Sequence, residues 1–155
     1  MKKKLFETSI LVVGMTVIST INAWAKPVPK TKLATSYKMS KSALASMQLN
    51  NVQFGFNKQF FSPAYKAELN RVVKLMAANN AAVKLGGYAD SKGTYLYNWK
   101  LSKQRVDNVK AYMVTQGADS TRIAATEFGD TKPIASNKTA DGRRKNRRVE
   151  INFAN

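Results

Sequence analysis

The chain of 155 residues is strongly basic, with 26 lysines and arginines against 9 aspartates and glutamates and a formal net charge of +17. It contains neither cysteine nor histidine. That excludes the usual zinc sites, a Ser-His-Asp triad, a cysteine nucleophile and a histidine proton shuttle. The length predicts one domain with short extensions, and the charge predicts attraction to anionic polymers or surfaces. No cofactor is expected.

Residues 1–25 have the pattern of a secretory signal peptide. Positions 2–4 are lysines, residues 10–18 are mostly apolar, and the Ala-Trp-Ala at 23–25 is typical of a cleavage site. The apolar stretch is short for a membrane span. We therefore predict export through a cleavable signal, with an uncleaved N-terminal anchor as the alternative.

Residues 26–50 are rich in lysine, serine and alanine, and Pro27 and Pro29 favour an extended chain. The sequence of residues 38–47 predicts at most a weak helix. We predict a basic, flexible tether over residues 26–50, followed by a single folded domain over residues 51–155.

The hydrophobic periodicity of this domain alternates between strand and helix patterns. The elements in order are a strand at 52–57, a helix from Ser62 to Asn79, a strand at 83–87, a helix ending at Gly117, a strand at 122–128, a polar loop at 130–141 and a strand at 148–153. The order β-α-β-α-β-β predicts an α+β fold in which the helices pack on one face of a small mixed β-sheet.

Two opposite charges, Asp90 and Arg105, lie on either side of the polar turn between the second strand and the second helix. A carboxylate and a guanidinium held by rigid elements suit a zwitterionic ligand, because the acid meets an amine and the arginine meets a carboxylate. Asn98 lies on the Arg105 face if the helix is continuous, and its amide both donates and accepts.

The alternative to a binding site is a purely structural role for each residue. In that case Asp90 only starts the turn and Arg105 is only a solvated charge on a helix face, as most loop and surface charges are. The helix itself is either continuous from Thr94 or broken near residues 99–100, with Ser102 capping a second segment.

The basic run at 142–148, Gly-Arg-Arg-Lys-Asn-Arg-Arg, has three interpretations. It is a nucleic-acid patch, a solvated loop before a strand, or a source of arginines that face the same pocket as Asp90. Export and the scattered aromatic residues argue against nucleic acid as a partner. No two carboxylates show the pairing that glycoside hydrolysis requires, so we do not expect an enzyme.

Two long motifs in this order carry a resemblance to a known family. The first comprises Gly87-Tyr88-Ala89-Asp90, Gly93, Tyr97-Asn98, Leu101-Ser102 and Arg105, and the second comprises Pro133-Ile134-Ala135-Ser136-Asn137, Thr139, Gly142-Arg143 and Asn146-Arg147-Arg148-Val149-Glu150-Ile151. Over about residues 52–153 the chain resembles the OmpA-like C-terminal domain, the peptidoglycan-associating module of outer-membrane proteins, lipoproteins and flagellar stator proteins.

The resemblance implies non-covalent binding of peptidoglycan through the diaminopimelate of its stem peptide, which would help to attach the cell envelope to the wall. By position, Asp90 would meet the diaminopimelate amine and Arg105 its carboxylate. Asn98 would support them, and Arg147 or Arg148 would lie near the pocket. The implied location is the periplasm, in association with the cell wall or the outer membrane. An anionic outer-membrane surface or envelope proteins are further candidate partners.

Three positions depart from the family pattern. Tyr88 replaces the usual histidine, Ala89 the usual threonine and Val106 the usual alanine. The loss of the threonine hydroxyl removes one hydrogen bond, and Val106 is expected to crowd the pocket. The rival hypothesis is a basic protein that binds anionic surfaces or nucleic acid without a specific pocket.

Overall fold

The computed structural model describes residues 38–154, in which four strands form one sheet. The strands are β1 (Val52–Gln53), β2 (Val83–Gly87), β3 (Ile123–Glu127) and β4 (Arg148–Phe153), in the spatial order β1-β4-β2-β3. Strands β2 and β3 are parallel, and β4 runs antiparallel to both β1 and β2. The predicted small mixed sheet is confirmed.

Four α-helices accompany the sheet within the described residues: α1 (Lys41–Ala45), α2 (Lys66–Asn79), α3 (Tyr95–Thr115) and α4 (Ala140–Asn146). The two long helices bury their apolar stripes against one face of the sheet, and the predicted α+β class is confirmed. This core contains Leu69, Val72 and Met76 from α2, Val106, Val109 and Met113 from α3, and Val83, Leu85, Ile123, Val149, Ile151 and Phe153 from the strands. Its burial is the main source of stability in a chain without disulfides.

Helix α3 is continuous from Tyr95 to Thr115, so the alternative of a break near residues 99–100 is wrong. The helix begins at Thr94, whose side chain accepts a hydrogen bond from the Tyr97 amide. Ser102 does not cap a new segment. Its hydroxyl donates to the Trp99 carbonyl and accepts from the Gly129 amide, which ties the helix to the loop after β3.

Two elements differ from the sequence prediction. The first strand stops at Gln53, because the chain turns after Phe54 and leaves the Phe56 side chain 66% exposed. Helix α4 was not predicted: it begins after Thr139, whose side chain caps the Gly142 amide, and it includes the end of the loop predicted at 130–141 and most of the basic run that follows. That helix lacks an apolar stripe, and this is the reason hydrophobic periodicity does not reveal it.

The predicted tether is only partly within the described residues. The predicted signal peptide at 1–25 and residues 26–37 lie outside them. Residues 38–50 pack on the domain instead of forming a flexible tether: Leu44 of α1 is buried in the core, and the Met39 amide donates to Asn79 Oδ1. The ordered domain therefore begins before Val52. Over residues 38–154, no helix has both the length and the apolarity needed to cross a membrane.

The two ends of the described chain lie at the same end of β2. Met39 contacts the last turn of α2 just before β2, and the Ala154 amide donates to the Ala82 carbonyl. The polar turn with Asp90 follows the opposite, carboxyl end of β2. The fold thus separates the chain ends from the predicted site by the length of the strand.

Candidate functional site

A cleft of about 220 Å³ opens at the carboxyl end of β2. The turn after β2, the first turns of α3, the loop after β1 and the start of β4 enclose it. Four of the five predicted site residues line this cleft: Asp90, Asn98, Arg105 and Arg147. The structure therefore brings together an acid and two arginines that are far apart in the sequence.

Arg105 is fully buried at the base of the cleft. Its guanidinium donates to three main-chain carbonyls, those of Lys58 (2.9 Å from Nε), Tyr88 (2.9 Å from Nη1) and Gly55 (3.4 Å from Nη2). The group also lies over the Phe54 ring, 5.1 Å from its centroid. Arg105 therefore holds the loop after β1 against the turn after β2, and the cleft forms between them.

The surroundings of Arg105 make its guanidinium easier to deprotonate than a solvated one. Its pKa is lowered to about 10, chiefly by burial and then by the positive charge of Arg147, while the Asp90 carboxylate acts in the opposite direction. The guanidinium remains charged at neutral pH. It is a buried cation whose charge an anionic ligand would help to compensate.

Asp90 is 4% exposed, and both of its oxygens are engaged. Oδ1 accepts from the Lys92 amide at 2.9 Å, which closes the turn, and Oδ2 accepts from Arg147 Nη1 at 2.8 Å. Arg147 also donates from Nε to the Phe54 carbonyl at 3.0 Å. A carboxylate has about four acceptor positions, so Asp90 keeps capacity for a ligand's ammonium group.

Asn98 is buried on the same face of α3 as Arg105. Its Nδ2 donates to Asp130 Oδ2 at 3.1 Å, which fixes the orientation of the amide. No group within residues 38–154 donates to its Oδ1, and that atom lies near Gly93, which lines the cleft. Asn98 can thus offer an acceptor to a ligand.

Gly87 permits the close approach of α3 to β2 that shapes the cleft. A Cβ at this position would lie 2.3 Å from the Ser102 carbonyl oxygen, a contact that backbone atoms cannot relieve without moving the helix. Ser102 is one turn before Arg105 on α3. The glycine thus helps to fix the depth of Arg105 beneath the turn.

Arg148, the fifth predicted residue, does not line the cleft. Its guanidinium lies on the other face of the sheet, 3.8 Å from the centroid of the Tyr88 ring, and pairs with Glu150 at 2.6 Å. Tyr88 stacks on Phe128 with centroids 5.0 Å apart and donates to Glu150. Burial, and then the charge of Glu150, raises the pKa of Tyr88.

The basic run at 142–148 does not form a single patch. Its cations contact different partners, and residues 142–146 lie on helix α4 and not in a loop. Arg143 donates to the carbonyls of residues 137 and 138, Arg144 and Lys145 pair with Asp141, Arg147 pairs with Asp90, and Arg148 pairs with Glu150. Of the three interpretations, the structure supports the one in which an arginine faces the pocket of Asp90.

Sequence reasoning assigned no role to Asn146, which is fully buried. Its Oδ1 accepts from the Ile134 and Ala135 amides, and its Nδ2 donates to the Ala135 carbonyl and to Asn137 Oδ1. Asn137 Oδ1 also accepts from the Ser91 amide beside Asp90. The sequence feature that could have indicated this role is an asparagine directly before Arg147 and Arg148, because asparagine side chains often hydrogen-bond to nearby main-chain groups.

The three departures from the family pattern have different surroundings. Ala89 lines the cleft, and it lacks the hydroxyl group that a threonine would bring there. Val106 packs in the core and does not line the cleft, so the expectation that it crowds the pocket is wrong. Tyr88 contributes its carbonyl to Arg105 while its ring packs on the opposite face of the sheet.

The model of the OmpA family matches residues 53–147, a stretch that includes all four of the predicted site residues that line the cleft. The chain belongs to the OmpA family. It is 41% identical over 106 residues to a probable lipoprotein, YiaD, of Escherichia coli K12, covering 68% of this chain and 48% of that protein. It is 41% identical over 112 residues to the peptidoglycan-binding protein ArfA of Mycobacterium tuberculosis H37Rv, and this match covers 72% of this chain and 34% of ArfA.

Among solved structures, the chain is similar to the peptidoglycan-associated lipoprotein of Burkholderia pseudomallei, with a TM-score of 0.65 and 23% identity. That match covers 67% of this chain and 89% of the solved one, and it establishes the shared fold. The chain spans about half the length, or less, of the two curated relatives described above.

Proposed function

We propose that this OmpA-family domain binds peptidoglycan non-covalently through the diaminopimelate side chain of the stem peptide. One observation carries the proposal: Asp90 and Arg105, with Arg147 beside them, line one cleft of about 220 Å³, a volume suited to one amino-acid side chain. The mycobacterial relative, named as a peptidoglycan-binding protein, supports the same ligand class.

The chemistry of the cleft matches the two ends of a zwitterion. The remaining acceptor positions of Asp90 suit an ammonium group. Arg105 has five N–H groups, of which three are used on carbonyls, so two remain for a carboxylate. Asn98 Oδ1 supplies a second acceptor beside Asp90. A ligand that carries an ammonium and a carboxylate on one carbon, as the free end of diaminopimelate does, satisfies these groups together.

This binding would attach the domain to the wall from within the cell envelope, in the periplasm. The two ends of the described chain lie at the end of β2 away from the cleft, so neither of them covers the site. No catalytic group is part of the proposal. Arg148, on the other face of the sheet, has no role in ligand contact.

Retention on purified diaminopimelate-type sacculi tests the proposal. Wild type should be retained at physiological salt and released by free meso-diaminopimelate. Arg105→Ala should lose about 10- to 100-fold in affinity, the effect of one charge-assisted contact. Lys100→Gln, an exposed change on the far side of α3 with the same loss of charge, serves as the control and should bind as wild type does.

The same assay separates the rival, charge-only binding to anionic surfaces. Such binding falls steeply between low and physiological salt and does not distinguish Arg105→Ala from Lys100→Gln. Equal retention of these two variants, or no competition by diaminopimelate, would contradict the proposed pocket.

A further inference from the structure

The charges within the cleft do not balance. Two arginines, Arg105 and Arg147, face one carboxylate, Asp90, and all three side chains are largely or fully buried. Asp130 reaches the site only through Asn98 and does not line the cleft. A zwitterionic ligand group has no net charge, so it would leave the excess positive charge uncompensated.

Arg147 lines the cleft and has one guanidinium nitrogen that is not used in a hydrogen bond within the described residues. Its Nε donates to the Phe54 carbonyl and its Nη1 to Asp90, but its Nη2 has no partner in the part of the chain that the structure describes. No buried side-chain nitrogen in that part lacks a hydrogen bond, so Nη2 is open to solvent. This differs from Arg105, whose Nε, Nη1 and Nη2 all contact carbonyls.

Lys92 adds a further cation at the mouth of the cleft. Its side chain is exposed, lines the cleft, and pairs with no carboxylate among residues 38–154. Its amide fixes Asp90 Oδ1, so its side chain begins beside the cleft carboxylate. Arg147 and Lys92 therefore both bring positive charge to the lining of the cleft.

We propose that Arg147 Nη2 and Lys92 form a second carboxylate subsite, which makes the cleft specific for a stem peptide with a free carboxylate next to its diaminopimelate ammonium–carboxylate end. The inference rests on the proposed function and adds a specificity to it. An ammonium with two carboxylates has a net charge of −1, which compensates the single excess positive charge of the buried residues Arg105, Arg147 and Asp90, while Lys92 remains at the solvent-exposed mouth. Amidation of the second carboxylate removes that match, because a carboxamide cannot form the charged pair.

Two positions in a stem peptide can supply this carboxylate. One is the α-carboxylate of the preceding glutamate residue, and the other is the terminal carboxylate of a stem that ends at diaminopimelate. Both groups are carboxylates and would bind the subsite in the same way. Amidating each of them in a separate peptide distinguishes the two sources.

The experiment is a calorimetric titration of the folded protein with three synthetic tripeptides, Ala-γ-Glu-diaminopimelate with all carboxylates free, with the glutamate α-carboxamide, and with the terminal carboxamide. Wild type should bind the free form about tenfold more tightly than one of the two amides, and that amide identifies the source. Arg147→Gln should bind the free form more weakly and reduce this ratio to about one.

Lys92→Gln keeps the test decisive if Arg147→Gln does not fold, since Lys92 is exposed. It should reduce the ratio by about threefold, the effect of one solvent-exposed charge, and Lys100→Gln should leave the ratio unchanged. Equal wild-type affinity for all three peptides, or an undiminished ratio in Arg147→Gln or Lys92→Gln, would overturn the second subsite alone. Failure of wild type to bind any of the three would instead overturn the proposed function.

Discussion

Arg147 Nη1 lies 2.8 Å from Asp90 Oδ2, a contact between residues 57 positions apart. It joins the turn after β2 to the residue before β4, and the side chains are 13% and 4% exposed. The pair thus has two consequences. It holds the wall of the cleft, and it places the cleft carboxylate where its remaining lone pairs can accept an ammonium group.

Asp90→Asn is expected to weaken both ligand binding and the fold. A charge in a loop usually has little effect on stability, but this substitution leaves Arg147 as a largely buried cation without its anion. We expect a loss of about 1–2 kcal/mol in the free energy of unfolding, moderated because solvent reaches part of Arg147. Urea denaturation measures it, and Asp107→Asn, at an exposed pair on α3, should leave stability nearly unchanged.

Arg105→Lys tests whether the fork geometry matters in addition to the charge. Lysine keeps a positive charge but cannot reach three carbonyls that diverge from one guanidinium plane. We expect the free energy of unfolding to fall by about 2–3 kcal/mol, because buried carbonyls lose their donors. Arg122→Lys on the surface is the matched control. A lysine variant as stable as wild type would show that Arg105 does not hold the two loops together.

Gly87→Ala should displace α3 from β2. The added Cβ would meet the Ser102 carbonyl oxygen at 2.3 Å, and both atoms belong to regular elements. We expect a loss of about 1–3 kcal/mol, as for other overpacked sites, together with weaker binding because α3 carries Arg105. Gly55→Ala controls for the change of residue type, since its Cβ would meet only the flexible side chain of Lys58. Thermal unfolding compares the two.

The Glu68–Arg71 pair predicts a pH dependence of stability. The hydrogen bond from Arg71 is the largest cause that lowers the pKa of Glu68 below its ordinary value of 4.5. Because the pKa in the folded state is lower than in the unfolded state, the pair stabilises the fold above pH 4.5 and loses that effect as the pH falls through the folded-state pKa.

Glu68→Gln should therefore be less stable than wild type by about 0.5–1 kcal/mol at pH 7, a modest effect because the Arg71 side chain is 39% exposed. The difference should shrink at high salt and disappear in strong acid. Denaturation curves at pH 7 and pH 3 measure it, and a difference that grows on acidification would contradict the assigned pair.

The sequence was sufficient for the fold class and for most of the cleft. The alternation of β2 and β4 and the apolar stripes of α2 and α3 predicted which residues form the core. The spacing of Asn98 and Arg105 predicted a shared helical face. These features follow from the spacing of residues along a single strand or helix, and the strands and helices of the structure have the predicted spacing.

The choice between Arg147 and Arg148 was not accessible to the same reasoning. Adjacent residues in a strand point to opposite faces, so the pairing register decides which arginine reaches the cleft. That register is set mainly by the five pairs between β2 and β4, with Gly87 opposite Val149, and sequence periodicity does not specify which residues of two distant strands pair. The carbonyl partners of Arg105 also come from an irregular loop, where no pattern indicates a main-chain contact.

In the proposed function, Asp90 and Arg105 recognise the two charges at one end of diaminopimelate. The most direct measurement compares the affinity of wild type for two synthetic stem peptides that differ at one residue, diaminopimelate or lysine, since lysine keeps the ammonium and lacks the carboxylate. The account predicts at least about tenfold tighter binding of the diaminopimelate peptide. Equal affinity for the two peptides would contradict it.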